Sequence, residues 1–188
     1  MLKIGEITEL PLTSPMAVSA IQEAVDIDDC KKILKVVSEL AVERYDCHGY
    51  GTFSSTHLPY TDDTAWIYGR LYDTALEVNK KMYGFENLDM TERVWYYEYQ
   101  TEDYLDWHTE LAEGAPFSGR KMAIMLNLSH SDEYRGGTTF FNTGEVFPAS
   151  RAMGDLNIYP GYVLNSIEKI KSGTKKVLIA WFGGNNLK

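Results

Sequence analysis

The chain has four residues available for imidazole chemistry: His48, His57, His108 and His130. One stands beside an acid, in Trp107-His108-Thr109-Glu110, with imidazole and carboxylate two positions apart. On extended backbone, residues i and i+2 project to one face. His108 and Glu110 are therefore placed to grip a single metal ion between a nitrogen and an oxygen donor. Taken alone the H-x-E spacing is weak, since a structural histidine with an acidic neighbour produces it as readily. His57 and His130 lie in polar stretches and read as surface histidines. Cys30 and Cys47 make neither a CxxC pair nor a disulfide framework, and read as thiols of a reducing compartment.

The elements that must position these groups change character midway. Candidate N-caps at 26–29 precede Ile33, Leu34, Val36, Val37, Leu40 and Ala41 at helical spacing. Residues 46–60 are rich in Gly, Ser, Thr and His and read as a loop or short strands. A second helix is predicted from 61–63, carrying Trp66, Ile67, Leu71, Leu76, Val78 and Tyr83 up to Gly84 as its C′ residue. From residue 93 strand formers dominate, over 93–100, 121–129, 137–142, 154–160, 162–165 and 175–182, with Gly, Asn, Asp and Ser between them. Helices first and short strands afterwards predict a jelly-roll-like barrel buttressed by helices.

Composition narrows the function classes. At 188 residues the chain has the length of one domain with a sizeable core. The formal charge of −9 repels a phosphate backbone, which disfavours nucleic acid and anionic membranes as partners. Arg120, Lys121, Lys169, Lys171, Lys175 and Lys176 are the candidates for a local basic patch, read mainly as a solvated strand face. No apolar run reaches bilayer length and residues 1–15 lack the apolar stretch of a leader, so a soluble, cytoplasmic protein is expected.

The second half resembles the prolyl-4-hydroxylase-like branch of the iron(II)/2-oxoglutarate-dependent dioxygenases. The likeness rests on an ordered series of motifs. Tyr99, Asp103-Tyr104-Leu105-Asp106 and Trp107-His108-Thr109-Glu110 are similar to that family's Tyr…Gly-x-x-Tyr-x-x-His-x-Asp segment. Residues 120–128 look like its next strand, and Gly136-Gly137-Thr138-Thr139-Phe140-Phe141 like its Gly-Gly strand. Asn165, Ile167, Ile170, Gly173 and Lys175 fall in register with His-x-Val-x-x-Val-x-x-Gly-x-[Arg/Lys]. The resemblance covers residues 93–182, about half the chain. It implies a double-stranded β-helix over about 91–188, supported by helical structure over about 1–90. It implies Fe(II) held by His108, Glu110 and the Asn165 position, and 2-oxoglutarate as cosubstrate, clamped by Lys175 and Tyr99. The implied reaction hydroxylates a small-molecule or peptidyl substrate and releases succinate and CO₂.

Two departures bear on that implication. Glu110 is one methylene longer than the usual Asp and remains a hard oxygen donor. Asn165 replaces the distal histidine, and a neutral amide oxygen is a weaker donor than imidazole. Three outcomes stay open: Asn165 ligates through its carbonyl oxygen, water fills the position, or the fold survives as a non-catalytic binding module. A coincidental motif series on an unrelated β-barrel is the remaining alternative, and the orientation of Lys175 tests it. On a strand Lys175 shares its face with Val177, Ile179 and Trp181, which points it inward.

Overall fold

The computed structural model describes residues 18–184, so the N-terminal segment read for a leader lies outside the described residues. The first half contributes β1 (Ser19–Ile21), α1 (Ile27–Ser38), β2 (Glu43–Asp46), β3 (Gly51–His57), α2 (Ala65–Val78) and β4 (Asp89–Met90). The second half is strands: β5 (Trp95–Tyr99), β6 (Tyr104–His108), β7 (Arg120–Asn127), β8 (Tyr134–Gly136), β9 (Thr139–Asn142), β10 (Val146–Pro148), β11 (Leu156–Pro160), β12 (Leu164–Ile167), β13 (Ile170–Gly173) and β14 (Lys175–Gly183).

Two antiparallel arms make the barrel. One runs β11-β7-β14-β5 and the other β6-β12-β9-β10, with β3 hydrogen-bonded between β5 and β6. Side chains from both arms meet inside, among them Met125, Ile179 and Trp181 from the first and Phe141 and Ile167 from the second. This is the double-stranded β-helix implied by the motif series.

Each helix buries one stripe, Cys30, Ile33 and Val37 on α1 and Ile67, Leu71, Ala75 and Val78 on α2. Both stripes pack on the outer face of the β11-β7-β14-β5 arm, against Ile124, Leu126, Leu156, Leu178 and Phe182. At ~25 cal/mol per Å² of apolar surface removed from water, this layer is a main source of stability. After α2 a π-helical turn (Asn79–Tyr83) ends at Gly84, whose φ of 68° is the left-handed C-cap expected there. Among the described residues no helix is long and apolar enough to cross a membrane.

Several expectations are corrected. The first half carries both helices but also contributes β1 to β4, of which β3 occupies a central position in the sheet. Its buried Ser54 and Ser55 have loop-like composition, but β2, β5 and β6 supply the backbone partners that make the segment a strand. The strand expected at 162–165 starts at Leu164, since residues 161–163 form the turn after β11. The short β8, β10 and β13 were not anticipated.

The basic face also dissolves. Arg120, Lys121 and Lys175 are buried, while Lys169 and Lys171 pair with Glu102 and Glu168. His57 is not a plain surface histidine either, because its ring lies 3.6 Å from that of Trp95 and its Nδ1 is buried.

Candidate active site

A cavity of about 230 Å³ opens into the barrel. Its walls include Tyr97, Tyr99, His108, Glu110, Thr139, Tyr159, Asn165 and Trp181. It therefore brings together the sequence-derived candidates Tyr99, His108, Glu110 and Asn165, with Lys175 packed against one of its lining residues, Thr139.

His108 ends β6, and Asn165 of β12 is its cross-strand partner. That register puts the amide beside the imidazole. Asp103 secures the start of the same strand: its buried carboxylate accepts hydrogen bonds from Arg44, Thr52 Oγ1 and the Gln100 amide. Burial works against the charge on Asp103, but these donors hold its carboxyl below the usual range. His108 Nδ1 lies 2.8 Å from the Asp106 carbonyl, which can only accept, so Nδ1 carries the proton. The Nε2 lone pair is thereby presented on the side of Glu110, 3.9 Å from Oε1. Metal-binding histidines are commonly oriented by a carbonyl in this way.

Glu110 is almost wholly buried and richly solvated by the protein. Oε1 accepts from Tyr159 Oη at 2.8 Å and from Asn165 Nδ2 at 3.1 Å. Oε2 accepts from Trp181 Nε1 at 2.7 Å, with the Arg120 guanidinium 4.0 Å away. Arg120 is itself clamped by both oxygens of Glu92 at 2.6 Å and lies 3.7 Å over the Trp181 ring. Burial and the nearby Glu110 carboxylate push the Tyr159 hydroxyl well above its ordinary pKa, so it remains a donor.

Lys175 presents the opposite situation. It is 2% exposed, and its ammonium donates to the Gly137 carbonyl at 2.9 Å and to Thr139 Oγ1 at 2.5 Å. Among the described residues no carboxylate pairs with it. Burial, aided by the charge of Arg151, lowers its pKa to about 7. Gly136 and Gly137 create one of its acceptors: both have positive φ, and a Cβ on Gly137 would lie 2.2 Å from Ile170 Cδ1. Tyr99, directly across the strand from Lys175, is likewise buried and its hydroxyl held protonated by burial.

The donor set fits a divalent ion in kind: an imidazole nitrogen, a carboxylate and an amide, all on one cavity wall. Only two of these are strong donors. Among the described residues no group of three His, Cys, Asp or Glu side chains gathers to hold a metal.

Sequence reasoning missed Tyr159, Thr139, Glu92 and the role of Arg120. Tyr159 stands in the 154–160 strand of the motif series but carries no assigned role there, and Arg120 reads as part of a solvated face. Trp181 could have been found from its alternation with Lys175 along one strand face.

No family model matches the sequence, and no curated protein matches it. Solved structures do share the fold. A Pseudomonas putida prolyl-4-hydroxylase superposes with a TM-score of 0.73 at 11% identity, covering 90% of this chain and 94% of that one. The viral collagen prolyl hydroxylase of Paramecium Bursaria Chlorella virus-1, in its 2OG complex, gives 0.71 at 15% identity, over 89% and 96%. A Trichoplax adhaerens prolyl hydroxylase in complex with a hypoxia inducible factor peptide fragment gives 0.73 at 8% identity, over 89% and 83%. At these identities the likeness establishes the double-stranded β-helix and the arrangement of its strands.

Proposed function

We propose that the cavity is the active site of an iron(II)/2-oxoglutarate-dependent oxygenase that hydroxylates a small-molecule or peptidyl substrate, with succinate and CO₂ as coproducts. The observation that carries this reading is Lys175, a buried amino group that no carboxylate among the described residues pairs with. A lone cation in a low-dielectric interior is costly, and the cost is recovered when an anion arrives. An ammonium has three donors and two are used, which leaves one for a ligand carboxylate. Thr139 supplies a hydroxyl beside it, and Tyr99, its cross-strand partner, lines the same cavity as Thr139.

A cavity of this size suits a short dicarboxylate better than a drug-sized molecule. With its distal carboxylate on Lys175, 2-oxoglutarate directs its keto acid end towards His108 and Glu110. In this reading His108 and Glu110 hold the iron, with Asn165 as a weak third donor. Bound there, iron supplies the activation of O₂ that couples decarboxylation of 2-oxoglutarate to hydroxylation of a C–H bond. Phe141, Met125 and Ile179 keep bulk water from the cosubstrate, and Trp181 with Arg120 orients Glu110. The likeness to a fold neighbour solved with a peptide fragment supports a peptidyl substrate alongside small molecules.

A second reading, a non-catalytic module that binds the dicarboxylate alone, is favoured by the amide at position 165 and its hydrogen bond to Glu110. Anaerobic titration of metal-free protein with Fe(II) and 2-oxoglutarate separates the two. A visible charge-transfer band that Lys175→Ala weakens is the expected result for the oxygenase. Thermal stabilisation by 2-oxoglutarate, about 2.7 kcal/mol at a hundredfold excess over Kd, without a band would favour the module. Absence of both sinks both readings.

A further inference from the structure

Glu110 Oε1 is the carboxylate oxygen that faces the imidazole, 3.9 Å from His108 Nε2. An sp² carboxylate oxygen offers two lone-pair sites. On Oε1 both are taken, one by Tyr159 Oη and the other by Asn165 Nδ2. Asn165 Nδ2 also reaches the His108 carbonyl at 3.4 Å, so the amide ties the two candidate ligands together. Neighbouring ligands on an octahedral ion with bonds of ~2.1 Å lie ~3.0 Å apart, so His108 and Glu110 stand nearly 1 Å too wide. Trp181 differs from the other donors in bonding the far oxygen, Oε2.

From this geometry we propose that Tyr159 and Asn165 compete with the metal for Glu110. A divalent ion held between His108 and Oε1, the oxygen that faces the imidazole, must displace one of the two hydrogen bonds on Oε1. This rests on the reading of His108 and Glu110 as the metal ligands, and it makes Asn165 more than a missing histidine. Its N–H group stabilises the metal-free arrangement, while its oxygen contributes little to the metal-bound one. The opposite role is a supporting one, in which hydrogen bonds to a ligating carboxylate strengthen metal binding. Removing support of that kind weakens metal affinity ten- to a hundredfold.

The two roles predict opposite signs for the same substitutions. Mn(II) is titrated into the full chain and followed by loss of the paramagnetic resonance signal of the free aqua ion. Wild type is compared with Tyr159→Phe, Asn165→Ala and Trp181→Phe, each checked for a cooperative melt. Competition predicts that Tyr159→Phe and Asn165→Ala each bind Mn(II) about tenfold tighter, the equivalent of one charge-assisted hydrogen bond. Trp181→Phe is predicted to give no tightening. If Tyr159→Phe fails to fold, Asn165→Ala carries the test. Weaker or unchanged binding in the competitor variants overturns the proposal, as does equal tightening in Trp181→Phe. If neither wild type nor any variant binds Mn(II), the proposal is overturned. A 2-oxoglutarate melt of the same samples then shows whether the dicarboxylate site stands without it.

Discussion

Two buried ionisable groups at the cavity, Glu110 in its wall and Lys175 behind Thr139, have surroundings that differ. Glu110 receives hydrogen bonds from Tyr159, Asn165 and Trp181 and has the Arg120 guanidinium nearby. Lys175 has a backbone carbonyl and one hydroxyl, no carboxylate among the described residues pairs with it, and the charge that acts on it is another cation, Arg151. The protein alone satisfies the first charge and leaves the second wanting an anion. A charge the fold has solvated is part of the structure. One it has not solvated marks where the fold depends on something else.

The sharpest way to break this comparison is Lys175→Met. It should lower 2-oxoglutarate affinity by about a hundredfold, through loss of a charge-assisted contact, and raise the melting temperature of the free protein. A free protein that melts lower would mean the ammonium is well satisfied where it is.

Glu110→Leu should act in the other direction and cost about 3 kcal/mol, because three buried donors lose their acceptor. Glu110→Gln, which keeps an acceptor oxygen, should cost about 1 kcal/mol; denaturant melts give both values.

The pH dependence sharpens the contrast further. With the folded pKa of Lys175 at about 7 and the ordinary value at 10.5, the unfolded chain binds a proton that the folded chain lacks between those limits. Lys175 thus makes the free protein more stable as pH rises through that window. Affinity for the dicarboxylate should fall about tenfold per unit above pH 7, with proton uptake on binding. Calorimetry in buffers of different ionisation enthalpy measures that uptake.

The smallest effect is expected outside the barrel. Ile124→Val, in the layer under the helices, should cost about 1 kcal/mol and leave 2-oxoglutarate affinity unchanged. A change in affinity there would mean that the two faces of the sheet are coupled.

Much of this was legible from residue order. The alternation of β5, the near-continuous strand formers of β7 and β14, buried on both faces, and the 3.6-residue stripes of α1 and α2 follow from which side chains can be buried together. The strand position of Lys175 beside Val177, Ile179 and Trp181 implied its inward orientation, and it is buried. The in-register series from Asn165 to Lys175 marked the region of the cavity. β3 was only half legible, since residues 46–60 read as a loop or short strands and only the strands on either side decide for a strand.

The sequence by itself determined the barrel with its helical support, and the residue types at His108, Glu110, Asn165 and Lys175. Those are local properties, set by periodicity and by the chemistry each side chain carries. Only the tertiary structure decided that Tyr159, 49 positions beyond Glu110, and Trp181, 71 beyond it, both bond its carboxylate. It also decided that no acid among the described residues pairs with Lys175. Hydrogen-bond satisfaction depends on distances between strands far apart in the chain, and no spacing along the chain encodes those distances.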